Sequence, residues 1–243
     1  MQDAKVSGTV LDISGNPLSG VSVTTGTEKV TTGSDGVFTF TQAGTVNDRA
    51  VFKLEKAGYF TLTRSCDVRD VMHIEAILCH KGNSEISAQA DFDASAENTI
   101  EAGGLKIELP AKCIVKTDGS AYSGTVRADV LFIGPRDGKT VLMMPGGDLA
   151  TSKTGEMMNP VGIADVTLTD GAGNLLKIKE KSEVRITYPV PSDVIDASIP
   201  LWTFDEARGV WKQEGSVTRQ GNVYIGGVSH FTYWGTGTVW PID

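Results

Sequence analysis

The chain has 243 residues, 40% hydrophobic and 21% charged, which is enough apolar material to fill real cores and too little charge for a disordered polymer. At about 100 to 150 residues per domain, this length predicts two compact units. Twenty-two Lys and Arg stand against 30 Asp and Glu, and the net charge of −8 repels phosphate backbones and anionic headgroups, which argues against nucleic acid or a membrane surface as partner.

In chain order, Met1-Gln2-Asp3-Ala4-Lys5 has no apolar core of a signal peptide, and no later stretch reaches the roughly 18 apolar residues of a spanning helix. An exported protein would have lost its signal ahead of Met1, and membrane contact would come only through an anchor lying upstream. Period-2 alternation begins at once. Val6 to Leu11 reads as a strand, Asp12 to Leu18 supplies Gly, Asn and Pro for a reversal, and Val21-Ser22-Val23 continues the sheet. Glu28 to Thr32 and Val37-Phe38-Thr39-Phe40 flank the tight turn Ser34-Asp35-Gly36, with Phe38 and Phe40 on one face. Strands at Ala50 to Leu54, Tyr59 to Thr63 and His73 to Leu78 bring the count to about seven, spaced as in a sandwich.

These elements resemble the carboxypeptidase regulatory-like domain of the transthyretin-like fold. The likeness is carried by Asp12 to Val23, by Thr32-Gly33-Ser34-Asp35-Gly36-Val37-Phe38-Thr39-Phe40 and by Lys56-Ala57-Gly58-Tyr59, over residues 4 to 80. It implies a first, Ig-like β-sandwich over residues 1–81 and an accessory role as spacer or binding unit. Residues 82–97 read as a linker and first strand region, opening on Lys81-Gly82-Asn83-Ser84 and rich in Ala and Asp from Ala88 to Glu97.

Alternation resumes at Leu105 to Leu109 and at Gly124 to Phe132. It recurs at Ala164 to Thr169, Glu183 to Tyr188, Pro200 to Phe204, Val210 to Thr218, Asn222 to Val228 and Phe231 to Trp234, and no segment sustains a 3.6-residue period. The whole chain is predicted all-β, with a second, larger β-sandwich over residues 98–243. This region resembles the family of cartilage intermediate layer protein and many Bacteroidetes surface proteins, itself similar to the spectrin-binding module of ankyrins and netrin receptors. The residues that carry the likeness are Gly104 to Pro110, Met144-Pro145-Gly146-Gly147-Asp148-Leu149, Ile199 to Glu206, Gly209 to Gly215 and His230-Phe231-Thr232-Tyr233-Trp234. Gly147 departs from the family pattern, which more often runs Pro-Gly-Asp-Leu.

Several motifs invite chemistry. Gly134-Pro135-Arg136-Asp137-Gly138-Lys139-Thr140 looks like a phosphate loop, but three residues rather than four separate its glycines and no helix follows, so a hairpin turn is expected. The Asp-Gly pairs at Asp35, Asp118, Asp137 and Asp170 lack the spaced carboxylates of a calcium loop and read as turns. His73, His80 and His230 have no metal-ligand spacing, so neither a metal nor any other cofactor is expected. Cys79 and His80 are neighbours on a strand and point to opposite faces, so they do not form a nucleophile and base. A hairpin of Tyr59 to Ser65 with His73 to Leu78, centred near Asp70, would hold Cys66 and Cys79 at opposite ends, leaving all three cysteines, Cys113 included, as free thiols.

Two constellations remain as candidate sites. Trp202, Phe204 and Trp211 lie on adjacent strands and either fill a sandwich core or, if Trp202 or Trp211 stands exposed in a concave surface, form a platform for sugar rings. In relatives of the spectrin-binding module a His-Phe-Ser sequence cleaves itself, which implies a candidate base in His230 and a candidate nucleophile in Thr232 across Phe231-Thr232. The expected function is a non-enzymatic extracytoplasmic binding or adhesion module of a bacterial cell-surface protein, lipid-anchored or otherwise attached, with a protein or glycan as partner. Glycan binding and self-cleavage are the alternatives.

Overall fold

Strict alternation of apolar and polar side chains builds the first strands, and the computed structural model, which describes residues 5–46, 48–68, 71–134, 140–192 and 194–241, is all-β as the sequence predicts. Its N-terminal part contains β1 (Lys5–Asp12), β2 (Ser22–Thr25), β3 (Glu28–Thr31), β4 (Val37–Phe40), β5 (Thr45–Val46), β6 (Arg49–Glu55), β7 (Leu62–Asp67) and β8 (Val71–Leu78). One sheet runs β4-β1-β8 and the other β7-β6-β2-β3, with β5 on the edge of β6. Val10, Val23, Phe38, Phe40, Phe52 and Leu54 fill the space between them. A Cβ on Gly8 would lie 2.3 Å from the Phe38 ring, so only glycine lets that ring pack on β1.

The connection between β7 and β8 differs from the expected hairpin. The two strands lie in different sheets: β7 pairs antiparallel with β6, Val51 opposite Ser65, and β8 pairs parallel with β1, Val6 opposite Met72. Burial on both sides of the chain outweighs the short loop, because each strand has apolar residues to place against a different partner. All three cysteines are free, as expected, although the pairing that led to that expectation does not form. Asp70, its presumed centre, lies outside the described residues.

The C-terminal part contains β9 (Ser87–Asp93), β10 (Asn98–Ala102), β11 (Leu105–Leu109), β12 (Ile114–Lys116), β13 (Thr125–Ile133), β14 (Gly146–Gly147), β15 (Glu156–Asp170), β16 (Leu176–Ile178), β17 (Val184–Pro189), β18 (Ser198–Asp205), β19 (Val210–Gln220), β20 (Val223–Val228) and β21 (Tyr233–Pro241). Ten of these strands form one sheet in the order β10-β11-β17-β20-β19-β18-β21-β15-β13-β9, which curls until its edges β9 and β10 touch, a near-barrel around Leu105, Ile107, Val130, Ile186, Tyr224 and Trp234. β12 and β16 make a separate ribbon. The stretch read as a linker contains β9, whose weak signal comes from burying only Ser87 and Phe92. β15 is longer than expected because Pro160 sits at a register shift that lets the strand bend and continue.

A third core lies between the two parts. β8 alternates up to Ile74 and then buries Ala76, Ile77, Leu78 and Cys79 in succession. Ala76 and Leu78 face the N-terminal core, while Ile77 and Cys79 face outward into a cluster with Leu131, Ile133, Met158, Trp202, Phe204 and Trp211. β13 and β18 divide likewise, with Val130 and Leu201 facing the near-barrel and Leu131 and Trp202 facing the junction. Beside β18, β19 carries a bulge, Leu201 lying opposite Gly215 and Trp202 opposite Gln213. β14 completes the joint by adding parallel to β7, Gly146 opposite Arg64.

Candidate functional site

The aromatic triad belongs to the junction core. Trp202, Phe204 and Trp211 are 4%, 3% and 0% exposed, the Phe204 and Trp211 rings lie 5.2 Å apart, and each indole N–H donates inward, Trp202 to the Gly237 carbonyl and Trp211 to the Pro145 carbonyl. None of these three rings presents a face to solvent, so of the two readings it is core packing that they follow. A second unit had to bury these rings, which the alternation of one strand does not reveal.

The side chains of His230 and Thr232 turn to different partners. The His230 imidazole stacks on Trp234 at 4.8 Å and lies 3.1 Å from Glu214 Oε2, while the Thr232 hydroxyl meets that of Thr203 at 3.1 Å. The Trp234 indole N–H donates to the His230 carbonyl at 2.7 Å, and residues 230–232 show no positive φ. Among the described residues no hydrogen bond joins the His230 imidazole to the Thr232 hydroxyl.

The remaining motifs are structural. Asp35, Asp118 and Asp170 accept backbone N–H groups in their turns, and Asp137, with residues 135–139 of the phosphate-loop lookalike, lies outside the described residues. Among the described residues no group of three His, Cys, Asp or Glu side chains could hold a metal. Cys79 is buried in the junction, and burial pushes its thiol up to about 11, so it is no nucleophile; His80 is exposed and edge-on to Tyr59.

The polar groups with the most specific geometry are ones that the sequence motifs pass over. Two arginines of the N-terminal part clamp the C-terminal part. Arg49 is bound by Asp67 at 2.7 Å and by both oxygens of Asp148 at 2.9 and 2.7 Å, and it donates to Ser65 Oγ. Arg64 donates to the carbonyls of Val141 and Met144 at 3.0 and 2.9 Å. Gly146 and Gly147 both have positive φ, and a Cβ on Gly147 would lie 2.7 Å from the Arg64 guanidinium, so the glycine that departs from the family pattern is what admits Arg64.

At the junction lies a cavity of about 440 Å³ whose floor is Asp165 and whose rim includes Glu206. Asp165 sits on β15 between Leu131 of β13 and Tyr233 of β21, 7% exposed. No hydrogen bond or ion pair reaches its carboxyl among the described residues. Its neighbour Asp129 is fully served, by Lys81 Nζ at 2.7 Å and Gln89 Nε2 at 2.6 Å. Burial, with help from Glu206 and Asp129 and against Lys81, pushes the Asp165 carboxyl up to about 8. A lone carboxylate within the apolar run Ile163-Ala164-Asp165-Val166 was the signal available in the sequence.

Folded Asp165 keeps its proton up to about pH 8, whereas in the unfolded chain it ionises near 4, so its contribution is fully present below about pH 4 and is lost as pH rises from there through 8. Asp165→Asn removes that slope. Its melting temperature should match wild type near pH 4 and exceed it at pH 8.5, and equal values at both pH values would show that Asp165 ionises normally. The chain should also stay whole. After long incubation at neutral pH the wild type, like Thr232→Ala, should show only its own full intact mass, and a species of residues 1–231 in the wild type alone would reinstate His230 and Thr232 as base and nucleophile.

No protein-family profile matches the chain. It is 28% identical over 141 residues to cartilage intermediate layer protein 2 of Homo sapiens, covering 53% of this chain and 12% of that protein. To cartilage intermediate layer protein 1 of Sus scrofa it is 26% identical over 119 residues, 45% of this chain and 19% of that one. The chain thus spans less than a fifth of the length of these relatives. A solved structure from Bacteroides fragilis, described as membrane-associated and of unknown function, aligns over 98% of both chains at 9% identity, with a TM-score of 0.28 that is too low to carry an argument. The likeness to cartilage intermediate layer proteins implied by the sequence motifs is therefore present, at low identity, over about half of the chain.

Proposed function

We propose that the chain is a non-enzymatic, extracytoplasmic binding or adhesion module of a bacterial cell-surface protein. The junction carries this reading. Two β units share one buried core and are fastened by Arg49 and Arg64, so cavities along the joint are held in fixed geometry, as a recognition surface requires. Residues that chemistry would need are committed elsewhere: the aromatics to packing, His230 to Trp234 and Glu214, and Thr232 to Thr203. The partial likeness to proteins named for a layer of cartilage supports a place outside the cell, and the resemblance of residues 4 to 80 to the carboxypeptidase regulatory-like domain supports an accessory binding role. Attachment through a lipid anchor upstream of Met1 belongs to the same reading.

An epitope placed in the exposed turn at Gly171 to Gly173 tests it, because no atom lies within 4 Å of a Cβ at either glycine. In the organism that encodes the protein, antibody should label intact cells and external protease should remove the signal. Signal that appears only after lysis, in the soluble cytoplasmic fraction, would overturn the proposal.

A further inference from the structure

The cavity above Asp165 has three features that belong together. Its floor is a carboxyl group that is more than nine-tenths buried, points into the cavity and has no hydrogen-bond partner among the described residues. Its oxygens open onto the cavity, so a donor placed there can complete them. Its walls include the apolar residues Phe60, Leu175 and Phe231, with Thr61 and Thr232 among them. Its rim holds Glu206, which is exposed and accepts from Thr63 Oγ1 at 3.2 Å.

The charges around it leave a defined deficit. Lys53 is paired with Glu55 at 2.7 Å and Lys81 with Asp129 at 2.7 Å, so both ammonium groups near the cavity are already taken. Glu206 remains without a cation, and so does Asp165 wherever its carboxyl is ionised, above about pH 8. The described residues hold no group of three acidic, His or Cys side chains suited to a metal, and one buried and one rim carboxylate are too few for calcium. An aliphatic stem ending in a positive head matches apolar walls above a carboxylate floor, because the methylenes bury against the walls while the N–H protons find Asp165 and the hydroxyls.

We propose that this cavity takes a primary alkylammonium group, presented as the lysine side chain of a protein partner, with Asp165 as counter-charge on the floor and Glu206 as the guide at the rim. The inference rests on the reading of the chain as a binding module and names the chemistry of its partner. Binding requires Asp165 to give up its proton to solvent, and the groups that face it, Lys81, Asp129, Glu206 and Tyr233, set where that happens. With the carboxyl at about 8, affinity rises with pH and levels off above that value.

The test uses the purified 243-residue chain and blocked lysine, Nα-acetyl-L-lysine methylamide, titrated by calorimetry at pH 8.5, 7 and 6. The same compound acetylated at Nε serves as the uncharged control, and 1,5-diaminopentane as the free amine. Blocked lysine should bind at pH 8.5, weaken about tenfold per pH unit below 8, and lose all affinity on Nε acetylation. Asp165→Asn should weaken binding at least tenfold without a lower melting temperature, and Glu206→Gln, at an exposed position, should weaken it by a smaller factor. No binding of blocked lysine to the wild type at pH 8.5, or undiminished binding by Asp165→Asn, would overturn the proposal. Tighter binding of 1,5-diaminopentane than of blocked lysine would overturn the protein partner in favour of a free amine. Surface labelling of cells reads location and this titration reads recognition, so failure of one is distinguishable from failure of the other.

Discussion

Burial of the Trp202, Phe204 and Trp211 cluster between the two β units is the constraint on which the rest of the structure depends. Strands β8, β13, β15 and β18 each present one face to their own core and the other to the junction. Such two-sided burial makes the apolar contribution of these strands roughly double that of a solvent-faced sheet, and it removes any independent surface from either unit along the joint. Rotation of one unit against the other would expose two indoles and separate the Arg49 guanidinium from Asp148.

The polar part of the joint adds specificity to that apolar attraction. Arg64 donates to two carbonyls of the short 3-10 turn at Thr140–Met143 and the residue after it, and β14, only two residues long, pairs with the edge that β7 offers. Glycines at 146 and 147 allow the close approach, each in a left-handed conformation that other residues avoid. Arg49 is tied to Asp148 by two short bonds but its Nε is buried without a partner, so the clamp fixes register at some cost in solvation. Burial pulls the Arg64 guanidinium down to about 10, with Asp148 acting in the opposite sense, and it stays charged at neutral pH.

Much of the architecture was legible in alternation and turn residues. Val37–Phe40 and Leu105–Leu109 appear where the pattern places them, since each has one buried and one open face. Pairing was less legible. The short loop after β7 reads as a hairpin, but partners at distant positions in the chain claim both strands. The candidate sites were the least legible part. Trp202 and Trp211 look alike whether they face a sugar or a second unit, because a strand's alternation says which side a ring is on and nothing about what covers it. Asp165, a single carboxylate inside the apolar run Ile163-Ala164-Asp165-Val166, was the visible anomaly, whereas Arg64, set among Thr63, Ser65 and Asp67, gave no such signal.

The account stands on the two units sharing one core, and differential scanning calorimetry measures this directly. A shared core predicts one transition for the whole chain with van't Hoff and calorimetric enthalpies equal. In Trp211→Ala the loss of a fully buried indole, about 3 to 5 kcal/mol, should lower that one transition as a whole. Two separated transitions in the wild type, or a variant in which only part of the heat absorption moves, would contradict it.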